Sequence, residues 1–302
     1  MGSIEVSAES PPGHMPKVLR EDVTIACVQM MAGAEKSKNL AIAREKTLQA
    51  AKAGARIVVL PECFNSPYGT LYFPKYAETI LPSPPSQQDS PSYHALSRMA
   101  ADAGVYLVGG SIPEFDQGKY YNTCLVFSPK GVLLATHRKI HLVDIDVPGK
   151  ITFQESEILS PGSAMTIVEL PEYGLLGVGI CYDIRFPEMA TIAARNGCFA
   201  MVYPAAFTMP TGALHWTLLA RSRAVDNQMY IVMCSPARDP AASYVAWGHS
   251  MIVDPMAEVL AEADENETII SARLLNETIQ ITRQAIPVYN QRRFDVYKDV
   301  SV

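Results

Sequence analysis

Apolar runs of the kind that form buried strands recur along most of this chain, and they constrain its fold more than any other feature. Runs such as 55–61 (ARIVVLP) and 199–204 (FAMVYP) are nearly continuous in apolar residues. Runs of this kind are typical of strands that are buried on both faces of a sheet. Amphipathic segments such as 37–54 (SKNLAIAREKTLQAAKAG) lie between them and predict helices. The alternation predicts an α/β fold.

Two distant segments carry the same pattern. Residues 51–62 (AKAGARIVVLPE) and 194–205 (ARNGCFAMVYPA) each run from a helix end through Gly into an apolar strand that reaches Pro. A further strand and helix precede each of them. Such a crossover is also common in general, so the repeat alone does not decide the architecture. If two such units pack sheet against sheet with helices outside, they form a four-layer α-β-β-α sandwich, which is the fold we predict.

We expect one domain for most of the chain. Of the 302 residues, 48% are hydrophobic and 19% are charged, which suits a globular protein with a large core. No linker-like segment divides residues 21–290, so we assign them to a single domain. We predict a disordered leader over residues 1–20 and a C-terminal tail over residues 291–302.

Charge and cysteine usage exclude several classes of function. The net charge is −6 and no Lys/Arg-rich run stands out, so we expect no nucleic-acid partner. No apolar stretch approaches the roughly 18 residues that cross a bilayer, and the N-terminal region lacks the apolar core of a signal peptide. No Cys-x-x-Cys pair and no zinc-like His/Cys spacing occurs among the six cysteines. We expect a cytoplasmic protein with reduced thiols, no zinc site and no membrane partner, and the sequence leaves a mitochondrial share open.

Cys181 occupies a position expected of a nucleophile. It ends the apolar run 175–181 (LLGVGIC), and the polar segment 185–188 (RFPE) opens a helix after it. A sharp strand-to-helix turn presents a side chain at the rim of a sheet. A helix N-terminus lowers the pKa of a thiol and offers N–H groups to an oxyanion. The alternative, a small hydrophobic residue of the core, stays open on this segment alone.

A nucleophilic thiol needs a base, and an acid is available. Glu62 follows an apolar strand and Pro61, where desolvation would raise its pKa, although it could also cap a loop. Lys139 ends the run 131–139, where its ammonium would stabilise an oxyanion unless it is a surface charge. Glu155 follows in a loop flanked by Gly and Pro and would hold Lys139 in place.

Three segments together resemble the nitrilase superfamily of carbon–nitrogen hydrolases. They are VVLPECFNSPYGT (58–70), RKIHLVDIDVPGKITFQESEILSPG (138–162) and GVGICYDIRFPEMA (177–190). They have the order and separations expected of the superfamily, and the resemblance covers residues 21–290. FNSPYGT and DIDVPGKITFQES are similar to the omega-amidase branch, whose members hydrolyse the terminal amide of 2-oxoglutaramate and 2-oxosuccinamate.

The resemblance implies a role for each candidate residue. Glu62 would be the general base, Lys139 the lysine that stabilises the tetrahedral intermediate, and Cys181 the nucleophile. Glu155 would be the supporting glutamate, and the backbone N–H of Tyr182 would complete the oxyanion hole. No metal or cofactor is implied.

The implied substrate carries a carboxylate far from the amide, so its pocket should offer hydrogen-bond donors or positive charge. Arg185, Tyr68 and Thr208 are the candidates, with ordinary packing or ion pairing as the alternative for each. The resemblance also implies a homodimer, and the tail 291–302 is a candidate for crossing to the partner subunit.

Other functions remain open. Within the superfamily, the alternatives are a deaminated glutathione amidase, a carbamoylase or a true nitrilase. A Cys–His hydrolase would use His137 or His141 as its base. A non-catalytic interaction protein with the same fold is the third possibility, and the presence of all four candidate catalytic residues argues against it.

Overall fold

The structure is a computed structural model that describes residues 17–147 and 151–297. The strands are β1 (Val23–Gln29), β2 (Ile57–Val59), β3 (Tyr106–Val108), β4 (Ile112–Asp116), β5 (Lys119–Phe127), β6 (Leu133–Arg138), β7 (Asp144–Val147), β8 (Ile151–Gln154), β9 (Thr166–Leu170), β10 (Gly174–Val178), β11 (Cys198–Pro204), β12 (Tyr230–Cys234), β13 (Met251–Val253), β14 (Val259–Glu262) and β15 (Thr268–Leu274). The helices are α1 (Lys36–Lys52), α2 (Phe73–Tyr76), α3 (Pro91–Ala103), α4 (Pro187–Arg195), α5 (Met209–Asn227), α6 (Asn276–Ala285) and α7 (Val288–Gln291).

Two mixed sheets form the centre of the molecule. One has seven strands in the order β15-β1-β2-β3-β5-β4, with β6 also paired to β5, and the other has six in the order β14-β13-β12-β11-β10-β9. Strands β1, β2 and β3 are parallel, as are β10, β11 and β12. The repeated pattern of the sequence therefore corresponds to two units, β1–α1–β2 and β10–α4–β11, one in each sheet.

The side chains of β1 show why the sheets are covered on both faces. Val23, Ile25 and Cys27 belong to the apolar cluster that contains the second sheet, whereas Ala26 and Val28 belong to the cluster beneath α1 and α3. Successive residues of a strand point to opposite faces, so a continuous apolar run serves both layers. Helices α4 and α5 pack on the outside of the second sheet. The predicted four-layer α-β-β-α sandwich is confirmed.

The candidate residues follow strand ends. Glu62 lies three residues after β2, Lys139 directly after β6, and Cys181 three residues after β10. Strand β6 is antiparallel to β5, which is antiparallel to β3, so β6 ends at the same edge of the first sheet as β2. The packing of the two sheets brings the end of β10 to that edge.

Residues 19 and 20 belong to the fold, whereas we predicted a leader that extends to residue 20. Leu19 is fully buried and forms a bridge with Gly174, and Arg20 donates from Nη1 to the Pro171 carbonyl at 2.7 Å. These two residues belong to the fold rather than to a leader, because an apolar side chain finds a buried place beside β10. Residues 1–16 and 298–302, which hold most of the predicted leader and the end of the predicted tail, lie outside the described residues.

Candidate active site

Four predicted residues meet in the interior between the ends of the sheets. The Nζ of Lys139 lies 2.9 Å from both carboxylate oxygens of Glu155 and 3.4 Å from Oε1 of Glu62. The Glu62 carboxylate also interacts with the thiol of Cys181. Each of the four residues is at most 4% exposed. An acid, an ammonium and a thiol that are distant in sequence thus share one buried site.

Cys181 sits on a strained turn. Its φ is +46°, in the left-handed region that non-glycine residues rarely adopt. The backbone before the turn packs closely against the Tyr203 ring. Position 179 therefore requires glycine, since a Cβ there would lie 2.7 Å from that ring. Asp183 fixes the turn, accepting from the backbone N–H of Ile180 at 2.9 Å. This turn directs the Sγ atom of Cys181 towards the Ala206 carbonyl oxygen, 3.7 Å away.

Two donors position the carboxylate of Glu62. Asn122 Nδ2 donates to Oε1 at 2.9 Å, and the backbone N–H of Ala206 donates to Oε2 at 2.8 Å. Burial raises the pKa of Glu62, and the charge of Lys139 acts in the opposite direction. A carboxylate with a raised pKa is a stronger proton acceptor, so this group is suited to take a proton from a thiol.

Lys139 is a fixed positive charge in a buried site. Burial alone would lower its pKa, but the charges of Glu155 and Glu62 outweigh burial and raise the pKa well above its usual range. Glu155 is itself held by the backbone N–H of Val143, which donates to Oε2 at 2.8 Å. A preorganised ammonium of this kind can stabilise a negative charge that develops on a substrate oxygen.

The protonation state of Cys181 differs from the sequence expectation. Burial, followed by the negative charge of Glu62, raises the pKa of the thiol well above its usual value, although Lys139 opposes this. The expectation that a helix N-terminus would lower the pKa was wrong, because desolvation and the neighbouring carboxylate dominate. The resting thiol is protonated and has to lose its proton during attack.

The two histidines of the Cys–His alternative contact Asp183. His137 Nε2 lies 3.2 Å from Oδ2 of Asp183, and His141 Nδ1 lies 2.8 Å from Oδ1. Burial alone would raise the pKa of Asp183, but hydrogen bonds from both histidines outweigh it and lower the pKa. These histidines therefore support the turn that carries Cys181, and the geometry offers them no direct role as its base.

A cavity of about 280 Å³ reaches Glu62 from the surface. Tyr68 lines it, as predicted for a substrate-binding residue, and its ring packs against that of Tyr244 at 4.2 Å. No Lys or Arg is among the described residues that line the cavity. Its side-chain hydroxyl groups belong to Ser66, Tyr68, Tyr72, Ser243 and Tyr244.

The other two predicted substrate-binding residues lie outside the lining of this cavity. Arg185 contacts Nδ1 of His215 at 3.2 Å, and its guanidinium lies 5.0 Å from the centre of the Phe207 ring. Thr208 Oγ1 lies 2.8 Å from Oγ1 of Thr211. Arg185 belongs to the same turn as Cys181, so it remains close to the site in the chain.

Sequence reasoning missed Asn122, Ala206 and Asp183. Asn122 and Ala206 contact Glu62 across 60 and 144 residues of chain, so no local pattern indicates them. Asp183 had a signal, because an acid two residues after a candidate nucleophile at a helix entrance can accept backbone N–H groups there.

Comparison with known proteins supports the assignment of the fold and the family. The family model described as carbon–nitrogen hydrolase matches residues 24–284. This chain belongs to the carbon–nitrogen hydrolase family. Among its relatives, this carbon–nitrogen hydrolase is 56% identical to a hydrolase of Schizosaccharomyces pombe, over 98% of this chain and 89% of the relative.

Other relatives carry a more specific name. Omega-amidase NIT2 of Xenopus tropicalis is 56% identical, and that of Homo sapiens is 54% identical, each over 90% of this chain and 96% of the relative. The solved structure of Saccharomyces cerevisiae Nit3, a member of branch 10 of the nitrilase superfamily, has 48% identity and a TM-score of 0.85. It covers 93% of this chain and 100% of Nit3.

The described residues add three further findings. Their helices include none that is long and apolar enough to cross a membrane. Within the same residues, no group of three or more His, Cys, Asp and Glu side chains is placed to hold a metal ion. All six cysteines are free and buried.

Proposed function

We propose that this carbon–nitrogen hydrolase is an omega-amidase. It would cleave the terminal amide of 2-oxo-dicarboxylic acid monoamides, namely 2-oxoglutaramate and 2-oxosuccinamate, to the dicarboxylate and ammonia. The observation that carries the proposal is the meeting of Glu62 and Lys139 at Cys181. The relatives named omega-amidase, at 54–56% identity, support the choice of substrate class.

The first half of the reaction forms a thioester. Glu62 takes the thiol proton as Cys181 attacks the amide carbon, and the carbonyl oxygen becomes an oxyanion between Lys139 Nζ and the backbone N–H of Tyr182. The proton passes from Glu62 to the amide nitrogen, the C–N bond breaks and ammonia leaves. Glu155 holds the ammonium of Lys139 in place through both carboxylate oxygens.

The second half releases the acid. Glu62, again unprotonated, takes a proton from water, which attacks the thioester carbon. The same two donors stabilise the second oxyanion, and the C–S bond breaks with return of the proton to Cys181. Every proton is returned and no electron is transferred, so the cycle needs no redox partner.

Recognition of the substrate carboxylate would fall to a neutral donor in the cavity, Tyr68, and to Arg185, which lies outside the cavity lining. Tyr68 lines the cavity that reaches Glu62. Arg185 carries its charge on the turn that follows Cys181, where it would attract an anion from outside the lining. Thr208, which forms a bridge with the cavity residue Ala246, is the third candidate.

Mass spectrometry tests the mechanism most directly. The protein incubated with 2-oxoglutaramate and quenched in acid should carry an acyl adduct on the peptide that contains Cys181. Turnover of 2-oxoglutaramate should exceed that of deaminated glutathione, a carbamoyl amide and a simple nitrile. Faster turnover of one of the last three would replace the omega-amidase by that alternative, and absence of ammonia release from every amide would favour a non-catalytic protein.

We further propose that a second copy of the chain covers an apolar face of α4 and α5. Leu214, Leu218 and Val225 are exposed along α5, and Ile192 is exposed on the neighbouring α4. Apolar side chains in a row on adjacent helices are typical of a subunit interface. Light scattering should give a dimer at micromolar concentration, and Leu218→Glu should shift it to a monomer, whereas a monomeric wild-type protein would contradict the proposal.

We also propose a cytoplasmic location. The support is that all six cysteines are free, which suits a reducing compartment. Fractionation of cells that express the protein should recover its amidase activity in the cytosol, and a mitochondrial pool would appear in the same experiment.

A further inference from the structure

The peptide group of Ala206 connects the candidate base with the candidate nucleophile. Its N–H donates to Oε2 of Glu62 at 2.8 Å, and its carbonyl faces Sγ of Cys181 at 3.7 Å. The residue is almost fully buried. Any group that polarises this peptide therefore acts on both Cys181, which loses the proton, and Glu62, which takes it.

Tyr244 is such a group. Its phenol donates to the same Ala206 carbonyl at 2.6 Å, a shorter contact than that made by the thiol. The ring is held from the other side by Tyr68, and both tyrosines line the cavity. The carbonyl oxygen thus has two donors, one from the cavity wall and one from the nucleophile.

We infer that Tyr244 is a positioning residue that favours loss of the Cys181 proton, because its hydrogen bond reduces the partial negative charge on the Ala206 carbonyl oxygen. The inference rests on the proposed function of Cys181. A carbonyl oxygen beside a sulfur atom stabilises the thiol, as a hydrogen-bond acceptor, and repels the thiolate. A phenol that donates to that oxygen reduces both effects, because it draws electron density from the oxygen. Both effects have the same sign, so the phenol favours the thiolate.

The phenol stays a donor across the working range of pH. Burial, followed by the charges of Cys181 and Glu62, raises the pKa of Tyr244 well above its usual value. The phenol therefore keeps its proton when the thiol loses its own. Titration of Tyr244 does not compete with the proton transfer to Glu62.

Alkylation of Cys181 by iodoacetamide tests this role without a substrate. In Tyr244→Phe, which keeps the ring, we expect alkylation at neutral pH to slow about fivefold, the factor that corresponds to one ordinary hydrogen bond. The alkylation profile should also move to higher pH. Adducts are counted on the peptide that contains Cys181, so the five other cysteines do not interfere.

Tyr76→Phe is the matched control. The Tyr76 phenol also donates to a backbone carbonyl, that of Ala34 at 2.8 Å, and it does not line the cavity. Its loss removes the same kind of hydrogen bond and should leave both the rate and the profile of alkylation at their wild-type values. An equal slowing in both variants would show a general effect on the fold and overturn the inference.

Steady-state kinetics with 2-oxoglutaramate give a second readout. Tyr244→Phe should lower kcat by about the same factor as alkylation and change KM by less than about twofold, because the ring that contacts the cavity remains. An unchanged alkylation rate in a folded Tyr244→Phe protein would overturn the inference. Failure of the wild-type protein to release ammonia would instead count against the proposed function and leave the alkylation result intact.

A variant with a stronger donor keeps the test decisive if Tyr244→Phe does not fold. A difluorotyrosine placed at position 244 has a more acidic phenol and should donate more strongly to the Ala206 carbonyl. We expect alkylation of Cys181 to be faster than in the wild-type protein. A slower or equal rate would overturn the inference.

Discussion

The two strand–helix–strand units of the sandwich share a local fold but differ in the residues that come after their last strand. In the first unit, β2 leads through Pro61 to Glu62, and in the second, β11 ends at Pro204 and leads to two alanines. These equivalent ends meet, since the Ala206 N–H donates to the Glu62 carboxylate at 2.8 Å. One half of the molecule thus supplies a charged side chain where the other supplies a backbone group.

The difference extends to the rest of the site. Glu62 and Lys139 come from the first sheet. Glu155 follows β8, in the part of the chain that connects β6 of the first sheet to β9 of the second. The second unit contributes the thiol of Cys181 and the peptide of Ala206. Charges that can move a proton thus lie on one side, and the atom that attacks lies on the other. The comparison predicts that changes on the two sides disturb different properties.

Removing the attacking atom should have the largest effect. Cys181→Ala should lower ammonia release from 2-oxoglutaramate by about 10⁴-fold or more, because no other group can form the thioester. The fold should survive, since the side chain is small. Cys198→Ala, at the start of β11, is the control and should keep most of the activity. Substantial turnover by Cys181→Ala would contradict the division between the two halves.

Removing the base should have the next largest effect. Glu62→Gln should lower kcat by about 10³-fold, within the range of general acid–base catalysis, and should also slow alkylation of Cys181. His141→Ala should not mimic this loss, because His141 contacts Asp183. Exposed Glu169 offers the matched control, and Glu169→Gln should behave as the wild-type protein. Equal losses in His141→Ala and Glu62→Gln would revive the histidine alternative.

The cation of the first half should matter for stability as well as rate. Lys139→Met leaves Glu62 and Glu155 buried together without their ammonium, which should cost about 3–5 kcal/mol of unfolding free energy. Arg44→Met, which breaks an exposed ion pair with Asp102, should cost less than about 1 kcal/mol. Urea denaturation measures both. Similar costs would mean that the buried charges are not coupled as the distances indicate.

The dependence on pH should be the mildest signature. Because burial raises the pKa of Glu62, the acid limb of kcat/KM should lie above the usual range of a glutamate, near pH 4.3. Activity is lost as the pH falls through this raised pKa, since only the unprotonated carboxylate can accept the thiol proton. In Lys139→Met the acid limb should move further up, because the opposing charge is gone. If the acid limb of Lys139→Met stays where it is in the wild-type protein, the charge of Lys139 does not act on the pKa of Glu62.

The sequence predicted much of the site because each of the four catalytic candidates comes shortly after a strand. A run that stops at a polar residue marks the edge of a sheet, so the turn at Cys181 and the position of Glu62 were visible in the letters. The pKa of Cys181 was not, because it depends on burial and on a carboxylate 119 residues away in the chain, from 62 to 181. The contacts of Asn122 and Ala206 with Glu62 depend on how the two sheets pack, which no local pattern records.

The boundary of the fold was harder to predict than its centre. Leu19 and Val18 form only a short apolar pair between charged residues, so nothing in the sequence showed that Leu19 would pair beside β10. The position of Arg185 was also not predictable. It has the charge expected of a residue that binds a carboxylate, but it contacts His215 and the Phe207 ring and does not line the cavity.

The burial of Cys181 has a consequence for the life of the protein between catalytic cycles. Oxidants attack thiolates far faster than thiols. Cys181 keeps its proton at rest and is only 4% exposed as a residue, so it is a poor target for peroxide. Burial therefore protects the sulfur of Cys181 from oxidation. We expect the protein to stay active under oxidative stress that inactivates proteins with an exposed, ionised cysteine.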